Sequence, residues 1–276
     1  MFQRLTCCAV IALSFAAAAN AVPPVALYLE SPLADQNVMP GDPVAWSLSL
    51  TLADDENQGL ALIFADLVQD PGNPASFDLP PGDPASIPVE MAVFDRPAGI
   101  TNPGENTLPS GYVGVQRGDE GAKNLVQIGG SQNTFGVALP TGVGLAENAN
   151  VVADIGHGAP QMIVSGEFNA PDASGLYTFR VENALASVIT QRNDPPEFSR
   201  VSLEQVSVAN GDFRIIVCMA DLDGDGAVGL GDLAHLLGSY GQTGMTYADG
   251  DLDLDGDIDL SDLATLLGYY GDICGE

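Results

Sequence analysis

Between Val22 and Val217 the apolar residues come in short runs broken about every ten residues by turn formers such as Pro40-Gly41-Asp42-Pro43 and Asn210-Gly211. Several runs alternate. In Trp46-Ser47-Leu48-Ser49-Leu50-Thr51-Leu52 the large apolar side chains take one face and the hydroxyls the other, the period of a half-buried strand. Strands are expected at Val25–Leu29, Val44–Leu52, Leu60–Val68, Val89–Phe94, Tyr112–Val115, Leu125–Ile128, Phe135–Leu139, Val151–Ile155, Met162–Phe168, Leu176–Glu182, Val201–Val208 and Phe213–Val217. Nothing in this stretch carries a helical period. Many short strands separated by turns predict a two-sheet antiparallel sandwich over 22–217.

Past Cys218 the period changes. Leu233, Leu236, Leu237 and Tyr240 follow i, i+3, i+4, i+7 spacing, and Leu263, Leu266, Leu267 and Tyr270 repeat it. Gly241 and Gly271 close the two predicted helices. The apolar stripes are expected to form a core, each helix packing on its twin across a pseudo-two-fold axis. A groove for a partner is the alternative use. Residues 218–276 therefore read as a separate, small, all-α module.

Charge sharpens that division. The whole chain has 8 Lys+Arg against 37 Asp+Glu, a net −29, which argues against nucleic acid or an anionic membrane as partner. With 46% hydrophobic residues it is no disordered acidic chain. Residues 219–276 hold 13 acidic residues and no Lys or Arg. Such a segment needs positive charge from outside to become compact.

Its aspartates are not scattered. The segment from Asp221, DLDGDGAVGLGDLAHLLGSYG, recurs 30 residues later from Asp251 as DLDLDGDIDLSDLATLLGYYG. Both copies place Asp at loop positions 1, 3, 5 and 12 (Asp221, Asp223, Asp225, Asp232; Asp251, Asp253, Asp255, Asp262) and Gly at position 6 (Gly226, Gly256). That is the spacing of the twelve-residue calcium loop. Alternate carboxylates converge on a hard cation, and the glycine allows the turn that returns position 12 to it. Position 7, Ala227 or Asp257, offers its backbone carbonyl. Position 9, Gly229 or Asp259, acts through water. Position 8, Val228 or Ile258, is expected in a short two-stranded contact between the paired loops. Two Ca²⁺ ions are predicted. Asp at position 12, in place of the usual Glu, is a shorter arm, which leaves two readings: a grip by one oxygen, or a helix pulled closer to the ion. The stretch Gly224-Asp225-Gly226-Ala227-Val228-Gly229 also matches a dinucleotide glycine pattern. A phosphate would face three aspartates there, and the second copy breaks the glycines while keeping the aspartates.

Residues 1–21 read as an export signal: one positive charge by Arg4, an apolar stretch from Leu5 to Ala19, and Ala19-Asn20-Ala21 as cleavage pattern. The product is expected to be secreted, periplasmic or cell-surface, with no membrane span. Cys7 and Cys8 leave with the signal. Cys218 and Cys274 bracket the acidic repeats, and a disulfide joining the ends of that module is expected in an oxidising compartment.

Two Asp-x-Asp-x-Asp-Gly loops, each followed by Asp-Leu-Ala-x-Leu-Leu, make residues 221–271 resemble a type I dockerin, the module that docks enzymes onto cohesin domains of cellulosome scaffolds. The resemblance implies paired EF-hand-type loops, two calcium ions on the residues above, and a protein partner of cohesin type. Where cohesin-binding dockerins tend to carry hydroxyl pairs and basic residues, this chain has Leu230-Gly231, Leu260-Ser261, Leu237-Gly238 and Leu267-Gly268. The dense aspartates and the endings Gly238-Ser239-Tyr240-Gly241 and Gly268-Tyr269-Tyr270-Gly271 look more like the dockerin-like tails of other exported bacterial proteins. Pro40-Gly41-Asp42-Pro43-Val44 before a long strand, and Gly59-Leu60-Ala61 running into Asp66-Leu67-Val68, resemble cohesin-like or immunoglobulin-like sandwiches.

No catalytic constellation stands out in 22–217. His157 lies between Gly156 and Gly158, there is no thiol, and clusters such as Asp54-Asp55-Glu56 and Asp119-Glu120 read as solvated loops. His235 reads as a surface residue of the first helix. Trp46 with Tyr28, Tyr112 and Tyr177 has two readings, a sugar-binding face or core packing. Three functions stay open: a non-catalytic recognition domain with a docking module, a polysaccharide-degrading enzyme or accessory tethered through that module, and an envelope structural protein.

Overall fold

The computed structural model describes residues 25–53, 57–94, 112–132, 134, 151–193 and 199–274. The export segment, the strand expected at 135–139 and the acidic run at 54–56 lie outside the described residues. The architecture is mainly β. In chain order the strands are β1 (Val25–Glu30), β2 (Asn37–Val38), β3 (Pro43–Leu52), β4 (Leu60–Gln69), β5 (Val115–Arg117), β6 (Asn124–Ser131), β7 (Gln161–Asn169), β8 (Gly175–Gln191), β9 (Arg200–Glu204), β10 (Val206–Asn210) and β11 (Asp212–Val217). Helices α1 (Leu230–Ser239) and α2 (Leu260–Tyr269) follow, with a 3-10 turn at Tyr247–Asp249 between them.

Two sheets face each other, one ordered β10-β1-β3-β7 and the other β2-β11-β8-β4-β6-β5, with β9 also on β8. The alternation along β3 works as its sequence demands: Val44, Trp46, Leu48, Leu50 and Leu52 point inward while the residues between them do not. They meet Phe168, Tyr177, Phe179, Phe213 and Ile215 in one continuous core. Phe168, Phe179 and Phe213 form a chain of ring contacts, 4.6 Å and 5.1 Å between successive centroids. A Cβ at Gly166 would approach the Trp46 ring to 2.7 Å, so glycine there makes room for the indole.

The sandwich is not wholly antiparallel. β1 pairs in parallel with β10, and β2 with β11. Val89–Val93 forms a 3-10 turn in place of the expected strand, entered from Pro88, whose missing N–H and fixed φ suit a turn entry better than a ladder. Residues 151–155 are also no strand. The Gln132 side chain supplies what a neighbouring strand would, donating to the Val152 carbonyl at 2.9 Å and accepting its N–H at 2.8 Å. The strand expected at 112–115 begins only at Val115, since Tyr112 and Val113 lie in a turn. β8 runs far past Glu182. Asn183 takes a positive φ of 50° and donates to Asp66 Oδ2, which lets the strand bend and continue.

Trp46, Tyr112 and Tyr177 are buried, so of the two readings of the aromatic group, core packing holds for these three. Burial drives the Tyr112 phenol well above its ordinary pKa. His157 sits in its glycine turn with Nε2 2.8 Å from Asn57 Oδ1. His235 is exposed on α1. Among the described residues no helix is long and apolar enough to cross a membrane.

A second apolar cluster begins where β11 ends. It gathers Met219, Ala220, Leu222, Val228, Leu236, Tyr247, Leu252, Ile258 and Leu266, with Met39 of the sandwich packed against it. Cys218 and Cys274 are joined by a disulfide, Cα to Cα 5.4 Å. Closing the loop between these cysteines, 56 positions apart, stabilises the module by about 4 kcal/mol in the chain-entropy account.

Candidate metal centre

Each acidic loop leads straight into a helix, and position 12 is the hinge between them. Asp232 is 1% exposed and Asp262 is fully buried. Asp232 Oδ1 accepts the N–H of Leu222 at 2.6 Å and of Asp223 at 3.1 Å, while Oδ2 accepts the Gly229 N–H at 2.6 Å. Asp262 repeats the pattern with Leu252, Asp253 and Asp259 at 2.7, 3.2 and 2.8 Å. The carboxylate thus ties the start of the loop to the start of the helix. A carboxylate has about four acceptor positions. Three are used, which leaves Oδ2 one position for a further partner.

Asp221 and Asp251 at position 1 are buried too. Asp221 accepts from Gly224 and Gly226, and Asp251 from Asp255 and Gly256. Burial, reinforced by the charges of Asp232 and Asp223, holds the Asp221 carboxyl above the usual range despite those N–H donors. Asp223, Asp225, Asp253 and Asp255 are exposed. Asp225 Oδ1 caps the Ala227 N–H and Asp255 Oδ1 that of Asp257. Gly226 and Gly256 have φ of 91° and 94°, the left-handed conformation that position 6 requires.

Carboxylate oxygens of Asp221, Asp223 and Asp225 lie within 4.8 Å of one another, as do those of Asp251, Asp253 and Asp255. These are hard oxygen donors with no cation of the chain's own near them in sequence. Asp257 Oδ1 is covered and has no hydrogen-bond partner. The charge of Asp255 above all, then burial and further aspartates, pushes the Asp257 carboxyl up. This donor chemistry fits a divalent hard cation in each loop. Asp259 also caps the helix: its Oδ1 accepts the Ser261 N–H at 2.6 Å at the entry to α2.

The loops do not pair with each other. Val228 exchanges backbone hydrogen bonds with Asp272 and Gly271, at 2.9 and 2.8 Å, and Ile258 with Gln242 and Gly241, at 3.0 and 2.7 Å. Each loop pairs with the chain returning from the other loop's helix, because Gly241 and Gly271 turn back with φ of 79° and 96°. The pseudo-two-fold relation survives, with partners exchanged. The helical stripes also differ from expectation. Leu236 and Leu266 are fully buried and Leu233 and Leu263 partly so, yet Leu237, Tyr240, Leu267 and Tyr270 are about half exposed. With Leu230 and Leu260 they form two equivalent apolar faces.

Tyr247 carried no signal in the sequence. Its hydroxyl accepts the Ala220 N–H at 3.1 Å and donates toward Met219 Sδ, fastening the entry of the first loop, and burial pushes its pKa up to about 12. Only its place in the linker between repeats, among polar residues, could have marked it.

No protein-family model matches the sequence, and neither does any curated protein. Solved structures similar to it include the seventh ScaB type I cohesin from Pseudobacteroides cellulosolvens, 12% identical with a TM-score of 0.37, covering 70% of this chain and 92% of that one. Another is the third cohesin ScaC in complex with the ScaB dockerin from Acetivibrio cellulolyticus, 13% identical with a TM-score of 0.28, covering 70% of this chain and 98% of that one.

Proposed function

We propose that this is an exported, non-catalytic docking protein: a β-sandwich recognition domain over 22–217 carrying a calcium-stabilised, dockerin-like module over 218–276. The carrying observation is the twice-repeated cluster of carboxylates at positions 1, 3 and 5, together with a buried position-12 aspartate that bridges each loop to its helix. Asp221, Asp223, Asp225, Asp232 and the Ala227 carbonyl would hold one Ca²⁺; Asp251, Asp253, Asp255, Asp262 and the Asp257 carbonyl the other. The ion supplies positive charge that lets these carboxylates sit together. The chain's own part is to keep loop and helix joined through Asp232 and Asp262, so that a neutralised loop holds its helix in place. The faces around Leu230, Leu237 and Tyr240, and around Leu260, Leu267 and Tyr270, are then presented to a protein partner. A cohesin-type domain is the partner the resemblance implies.

Titration of the purified chain with Ca²⁺, followed by circular dichroism and calorimetry, tests the calcium reading. Two ions should bind and helix content should rise. A tail already fully helical in chelator that takes up no metal would reject it. Pull-down from the exported fraction of the source cell, with and without EGTA, tests docking: a partner retained only with calcium is expected. Reproducible release of reducing sugar from a panel of plant and algal polysaccharides would reject the non-catalytic reading.

A further inference from the structure

The two loops share a backbone and differ in what holds it. Beside the first loop, Cys274 donates its N–H to the Gly226 carbonyl at 2.9 Å, and Ile273 bridges Ala227. Cys274 is in turn bonded to Cys218, three residues before Asp221, and Cys218 donates to Val38 of the sandwich at 3.3 Å. On the other side a Cβ at Gly226 would come within 3.2 Å of Asn37 Nδ2, so β2 borders the same arm. The second loop has the matching backbone contacts without a covalent tie: Gly244 and Met245 donate to the Gly256 carbonyl at 2.6 and 3.3 Å, and Thr243 bridges Asp257. Residues 30 positions from the two cysteines are Ala248 and Gly244, so no covalent tie is possible, and nothing lies within 4 Å of a Cβ at Gly256. Charge runs the other way. Asp257 and Asp259 of the second loop stand where the first has Ala227 and Gly229.

Resting on the calcium reading above, we propose that Cys218, Cys274 and Asn37 are positioning residues for the first ion alone. They hold the Gly226–Ala227 arm, which supplies the position-7 carbonyl, in its binding shape before the ion arrives. The second loop has no such clamp and draws its ion by its two additional carboxylates. Preorganisation spares the binding step the ordering of backbone torsions, roughly a tenfold gain in affinity for each residue already fixed. It is insensitive to ionic strength. The longer-range attraction of these carboxylates, Asp259 being the exposed one, is screened once the Debye length falls to a few ångström.

The test uses the full mature chain. Asp253→Ala with Asp255→Ala, both exposed, leaves the first loop to be measured; Asp223→Ala with Asp225→Ala leaves the second. Calcium affinity is read by calorimetry in each background, with and without Cys218→Ser/Cys274→Ser, at about 50 and about 500 mM KCl. The serine pair should weaken the first loop about tenfold and the second less than about twofold. Salt should weaken the second loop more than the first. Asn37→Ala, which leaves the disulfide in place, should weaken the first loop a few-fold, so the inference stands or falls even if the serine variant folds poorly. Equal losses at both loops, or none at either, overturn it. Absence of calcium binding in the unsubstituted chain overturns the calcium reading itself, and this inference with it.

Discussion

Trp46 and Leu266 are both buried beyond reach of solvent, but the cores around them differ in scale. Among the described residues the sandwich core gathers 33 buried side chains and the C-terminal cluster 10. The larger unit has apolar area enough to hold its sheets together. The smaller one must also keep four buried aspartates, Asp221, Asp232, Asp251 and Asp262, in its interior. Small units with thin cores rely on cross-links or bound ions. This module has one cross-link and two loops of clustered carboxylates. On the calcium reading, the contrast is between a unit stabilised by what it excludes and one stabilised by what it admits.

The largest effect that could break this contrast is chelation. With EGTA, helices α1 and α2 should melt while the sheet signal and the fluorescence of Trp46, the chain's one tryptophan, stay unchanged. Helices that persist without calcium would remove the distinction. Next in size are core truncations. Trp46→Ala should cost the sandwich about 3–5 kcal/mol in urea unfolding followed by circular dichroism, and leave calcium stoichiometry intact. Leu266→Ala should cost the module about 2–5 kcal/mol and leave Trp46 fluorescence unmoved.

A smaller effect is a difference in pH response, measured in chelator. Asp78, bonded to Lys123, and Asp70, bonded to the Gly72 N–H and facing Arg180, have carboxyls held below their ordinary values. Their contribution is present above the unfolded value near pH 4 and is lost as pH falls through the lower folded value. Asp221 and Asp257 are shifted upward, so the folded module takes up protons more readily than the unfolded chain. Its stability should therefore rise as pH falls toward 4. Helix content should increase as pH falls toward about 4, and the sandwich's urea midpoint should fall only below that value. Parallel slopes would contradict this. Smallest of all, Lys123→Ala removes a half-exposed ion pair with Asp78. Its urea midpoint should move roughly fivefold less than that of Trp46→Ala, and hardly at all in high salt.

What could be read in the chain follows from how local each cause is. The strand of Trp46 and Leu48 declares itself because its facing is set by alternation alone. The aspartates of the loops do so because their spacing recurs. Val151–Ile155 looked like a strand because apolar content cannot tell a ladder from a pairing made by the Gln132 side chain. The second half of β8 was hidden by Glu182-Asn183, polar residues that mark a bend inside a strand as readily as its end. The parallel pairings β1–β10 and β2–β11 join residues some 180 positions apart and have no local signature. Exposure of Leu237 and Leu267 was illegible for another reason: helical spacing shows which side chains share a face, not whether that face is covered.

Because each loop completes its edge with the strand returning from the opposite helix, neither repeat is a self-sufficient half. A fragment ending near Gly241 would carry a first loop with no mate and a return segment with nothing to embrace. Two such fragments, brought together, could each lend the other its return segment, as the two repeats of one chain do. The repeat is thus reciprocal, and its natural failure on truncation is exchange of arms between chains.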